Sequence, residues 1–71
     1  MSETIDRLAR MNRDDWLEML QERAAIMEFD GGLSRVDAQA GAMTALCRRI
    51  EEQYGIATTP GEIAQALRRT A

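Results

Sequence analysis

Seventy-one residues make one small domain, because a chain this short buries only about 60% of the surface it exposes when unfolded. Its 45% apolar and 30% charged residues are a globular balance rather than a disordered one. Nine cations, all arginine, against twelve acids give a net charge of −3, and the single cysteine, Cys47, with no histidine excludes an internal disulfide and leaves no ligand set for structural zinc.

The first predicted helix starts at a cap on Ser2 or Thr4 and runs to about Met11, with Ile5 and Leu8 as its apolar edge. Acids in its first turn and arginines later suit the helix dipole. Asn12 reads as a break and as a capping side chain, with Asp15 three residues on. The second predicted helix, Arg13 to about Phe29, places Trp16, Leu20, Ala24 and Met27 on one face, flanked by Leu17, Met19 and Ile26. Arg23 lies within that face, with a stem long enough to reach past the core. Asp14, Glu18 and Glu22 form an acidic column on the opposite side. Phe29 falls towards the polar side and is expected to fold over at the helix end.

Gly31 and Gly32 stop this helix, since glycine accepts the positive φ of a C-terminal cap. Leu33, Ser34 and Asp37 then spell a hydrophobic staple and an N-cap for the next helix. That helix, Arg35 to Tyr54, repeats Val36, Ala40, Met43, Cys47, Ile50 and Tyr54 in a heptad-like stripe. Its other side carries a smooth strip of Ala38, Gly41 and Ala45. Gly55 closes the helix and Ile56 follows with an apolar contact. Thr59, Pro60 and Glu62 open the last helix as cap, first helical position and reciprocal partner. Ile63, Ala66 and Leu67 face inward, and Arg68 and Arg69 occupy the last turn. The pattern predicts one all-α domain over residues 1–71: a small bundle of three to four helices with a Gly-Gly corner between the two long ones.

The run Glu22-Arg23-Ala24-Ala25-Ile26-Met27-Glu28-Phe29-Asp30-Gly31-Gly32-Leu33-Ser34-Arg35, followed by Ala38 and Ala40, resembles a segment of primase- and replication-type proteins of phages, plasmids and integrative elements. There the segment E-R-A-A-I-x-E-[FY]-D-G-G-L-S-R is typically followed by acidic residues and alanines. The resemblance implies a mobile-element origin and a helical corner near nucleic-acid machinery. It carries no catalytic role, and the polymerase and helicase parts of those proteins have no counterpart here.

The chemistry-bearing residues do not assemble into a catalytic set. Cys47 lies on the apolar stripe with no imidazole to activate it. Glu51-Glu52 and Asp14-Asp15 are adjacent on a helix, so their carboxylates diverge. The expectation is therefore no enzyme, no cofactor, no metal and no small-molecule substrate. Arg48-Arg49 and Arg68-Arg69 are the two basic pairs and the candidate nucleic-acid contacts. Residues 31–71 sum to only +1, with five arginines against four acids, and residues 1–30 to −4, with four against eight. That is short of the basic patch a phosphate binder presents. The acidic column of Asp14, Glu18 and Glu22 is the candidate partner-binding surface, read either as a solvated face or as a dock for a basic protein. With the mobile-element resemblance, its sharper form is an acidic inhibitor of a host nucleic-acid-binding protein. The strip of Ala38, Gly41 and Ala45 is read two ways, as a homodimer contact or as core covered by another helix of the chain.

The start, Met-Ser-Glu-Thr-Ile-Asp, has no signal-peptide pattern, and no apolar run approaches the ~20 residues of a membrane span. A cytoplasmic protein with a reduced thiol is the expectation. The reading that follows is a non-catalytic accessory or regulatory protein acting through protein–protein contact. The alternative is a DNA-binding accessory factor using the C-terminal helices.

Overall fold

The computed structural model describes residues 3–70; Ser2, one of the two candidate caps for the first helix, lies outside them. Three helices pack together: α1 (Glu3–Phe29), α2 (Arg35–Tyr54) and α3 (Pro60–Arg69). The two segments expected on either side of Asn12 run on as one helix with a kink, where Asn12 takes φ −119° and ψ 19°. The Asn12 side chain does not cap the helix that follows. Its amide Nδ2 instead donates backward to the Leu8 carbonyl at 3.0 Å and across to the Tyr54 hydroxyl at 3.3 Å. The kink is thus held from the turn before it and from α2.

α1 and α2 are joined by residues 30–34. Asp30 N–H continues the helical ladder to the Ile26 carbonyl at 2.8 Å, and Leu33 N–H returns to the Met27 carbonyl at 3.2 Å. Gly32 sits at φ 67°, in the left-handed region where a Cβ is strained. A Cβ on Gly31 would lie 2.8 Å from the Met27 carbonyl oxygen. Ser34 then caps α2, its Oγ accepting from Asp37 N–H at 3.2 Å. At the far end of α2, Gly55 takes φ 68° and donates to the Glu51 carbonyl. α3 opens with Pro60 at the first turn and a reciprocal capping box: Glu62 N–H to Thr59 Oγ1 at 3.2 Å, and Thr59 N–H to Glu62 Oε1 at 3.0 Å.

One core cluster joins Ile5, Leu8, Ala9 and Trp16 of α1 to Leu46 and Ile50 of α2 and Ile63, Ala66 and Leu67 of α3. Positions 5, 8, 9 and 16 recur at helical spacing, which is why the first half of α1 buries one clean face. The buried line of α2 differs from the expected stripe. It runs Ala38, Ala42, Leu46 and Ile50; Val36 is 76% exposed, and Ala40 and Tyr54 are also exposed. α2 has neighbours on two sides, so its apolar face is wider than a single seam. The alanines face α1, where small side chains let the backbones approach, while Met43 and Cys47 pack half-buried beside the cluster. Phe29 does not fold over; it is 83% exposed.

Two arginines tie the end of α3 to α1. Arg13 Nη1 donates to the Leu67 carbonyl at 2.6 Å and to Thr70 Oγ1 at 3.1 Å, placing a cation where the helix dipole is negative. Arg69 pairs with Asp6 at 3.3 Å.

Candidate functional site

Asp14, Glu18 and Glu22 are all exposed along α1 after the kink. Steps of four residues rise roughly 6 Å each and leave them in one slowly winding row. Beside the row lies a groove of about 570 Å³ between α1 and α2. Glu18 and Glu22 form part of its wall together with Asp15, while Asp14 does not line it. Trp16, Met19 and Ile26 make the apolar floor, and Arg23 of α1 and Arg49 of α2 supply its positive groups. Arg23, expected to reach past the core from within the apolar face, is exposed and lines this groove beside Trp16 and Met19. Asp15 and Arg49 complete a site that the acidic column alone did not reveal. Asp15, Glu18 and Glu22 share a face at i, i+3 and i+7, and that spacing was the available signal. The contribution of Arg49 depends on how α2 lies against α1.

A second groove of about 400 Å³ adjoins the first through Met19, Arg23 and Arg49 and continues to Arg48 and Glu52. Arg48 and Arg49 therefore share their surroundings with carboxylates. Arg68 and Arg69 line neither groove, and Arg69 is engaged with Asp6. The two basic pairs therefore share neither groove.

The strip of Ala38, Gly41 and Ala45 faces α1 of the same chain. Ala38 is 0% exposed. Met27 covers Gly41 so closely that a Cβ there would lie 2.6 Å from its sulfur. Ala45 lines the 400 Å³ groove opposite Met19 and Met27. Cys47 is half-buried, and its thiol is pushed above the ordinary range first by burial and then by the nearby Glu62 carboxylate. That is the reverse of the shift that activates a nucleophilic cysteine. No cluster of three or more potential metal ligands occurs among the described residues. Among them no helix is long and apolar enough to cross a membrane.

No protein-family model, curated protein or solved structure matches the chain.

Proposed function

We propose that this chain is a non-catalytic accessory or regulatory protein of a mobile genetic element, acting in the cytoplasm by binding a protein partner. The acidic wall of α1 docks a basic amphipathic segment of that partner. In this role the chain is an acidic inhibitor of a nucleic-acid-binding protein, occupying the surface that would otherwise meet phosphates. The observation that carries the reading is the juxtaposition of Asp15, Glu18 and Glu22 with an apolar floor of Trp16, Met19 and Ile26 in one open groove. Carboxylates steer a cationic segment and select its sign, and the floor accepts its apolar face in the helix-in-groove manner. The Gly31–Gly32 corner belongs to the same proposal: it sets α1 and α2 side by side so that the acidic wall and Arg49 border one space.

Trp16 is the only tryptophan and lies in the floor, so its emission reports occupancy. A designed basic amphipathic helical peptide is expected to shift that emission at low salt and to bind progressively more weakly as salt rises. The triple variant Asp15→Lys, Glu18→Lys, Glu22→Lys, which reverses the three carboxylates of the groove wall, keeps its helical circular dichroism and loses the response. Peptide binding that survives the reversal removes the acidic wall from the site. The alternative, a DNA-binding accessory factor using Arg48, Arg49, Arg68 and Arg69, predicts instead a gel shift of duplex DNA that weakens steeply with salt.

A further inference from the structure

The hairpin of α1 and α2 carries opposite charges along the two borders of its adjoining grooves. At roughly 100° per residue, Glu18, Glu22 and Asp15 follow one another around the outer edge of α1. Ile26 and Met19 come next, and Arg23 comes after them, on the side of Trp16 and Met27. Met27 covers Gly41 of α2, so that side is the seam between the helices. Across the seam α2 supplies Arg48 and Arg49 to the same space. The order from one border to the other is therefore carboxylates, apolar strip, guanidiniums.

A uniformly basic segment does not satisfy this arrangement. The carboxylates attract it, but Arg23 and Arg49 line the same groove as they do. The second groove is lined by Arg23, Arg48, Arg49 and, among the described residues, a single carboxylate, Glu52. All three arginines are exposed. The ion pair seen among the described residues joins Arg69 to Asp6, and none of the three has one. Guanidiniums so placed repel further cations and accept carboxylates, which match their forked geometry. A nucleic-acid backbone, with a phosphate at every step, would run against Asp15, Glu18 and Glu22.

We propose that the partner's docking segment is an amphipathic helix whose apolar stripe is bordered by basic residues on one edge and acidic residues on the other. This rests on the reading of the acidic wall as a docking surface and adds the second half of the charge pattern. The stripe lies on Ile26 and Met19, the basic edge on the α1 carboxylates, and the acidic edge on Arg23, Arg48 and Arg49. Exchanging the edges of a helix requires turning it end for end. The charge pattern therefore also fixes the direction in which the segment lies along the hairpin, as edge charges do between paired helices.

The test titrates three tryptophan-free helical peptides with the same apolar stripe into the whole chain and follows Trp16 emission. One peptide has lysine on both edges, one has glutamate on both, and one has lysine on one edge and glutamate on the other. At moderate salt the two-edged peptide is expected to bind about tenfold tighter than the all-lysine one, the combined effect of three exposed charge pairs. Arg48→Gln, Arg49→Gln should cut that preference several-fold, and Arg48→Glu, Arg49→Glu should invert it. Circular dichroism and urea midpoints report that both variants fold. An all-lysine peptide that binds as tightly as the two-edged one overturns the proposal and leaves the acidic wall standing. So does a preference that survives both arginine variants. An all-glutamate peptide that binds as tightly as the two-edged one, or no response to any of the three, removes the acidic wall as a dock and the proposal with it.

Discussion

Cys47 shows how a single side chain takes its chemistry from its surroundings. Burial and the neighbouring Glu62 carboxylate both disfavour the thiolate, so the folded chain holds the thiol proton more tightly than the unfolded chain does. Two outcomes follow. Iodoacetamide should modify the folded protein with a pH midpoint above that found in urea. Stability should also include a contribution that is complete below the unfolded thiol pKa and disappears as pH rises through the raised folded value. The urea midpoint therefore falls on the alkaline side, and Cys47→Ala removes that part of the fall. Identical alkylation profiles in native and denaturing conditions would refute the assignment. The apolar placement of Cys47 was legible from its stripe, but its carboxylate neighbour was not, since Glu62 sits on a different helix. The kink at Asn12 was visible in the same partial way. A small polar residue between two periodic runs marks a break, but the amide's partner, Tyr54, is 42 residues away.

At the scale of elements, the local stop and start signals were the most readable part of the chain, because each is completed within a few residues. The cap of Ser34 on Asp37 N–H and the box between Thr59 and Glu62 both form from the residues that announced them. Ser34→Ala is expected to lower stability by about 0.5–2 kcal/mol. Gly32→Val places a branched side chain at positive φ and should cost about 1–3 kcal/mol. Urea midpoints measure both, and midpoints equal to that of the parent chain would show that this turn does not stabilise the fold. The buried line of α2 was harder to read. Periodicity favours large apolar residues, so Val36 and Tyr54 were weighted above Ala38 and Ala42. At a close helix–helix approach it is the small residues that are sealed from solvent. Arg13 was read only as the start of a helix, whereas it closes α3 from 54 residues away. No local pattern encodes such a contact. The acidic column on α1 was legible because all its members lie on one helix, while the groove beside it needed Arg49 and Gln53 from α2.

Across the whole molecule the packing is uneven, and this sets its dynamics. The protein measures 36 Å along its longest axis, close to the about 40 Å expected for the 27 residues of α1. The ten residues of α3 span about 15 Å, so α3 covers less than half of the hairpin. Where three helices meet, Ile5, Leu46, Ile50 and Ile63 are fully buried. In α1 beyond the kink, Trp16 is the only buried residue, and Leu20, Ala24 and Met27 are half-covered. Regions with few buried apolar contacts open locally at low cost, whereas well-packed ones exchange only through global unfolding. Amide hydrogen exchange should therefore show a gradient. Protection is expected to be greatest at Leu8, Ala9, Leu46 and Ile50, and to fall through Ala24 and Met27 towards Gly31 and Ala38. Uniform protection along α1 at low concentration would show that the two-helix end is as stable as the three-helix end, and would overturn this account of the packing.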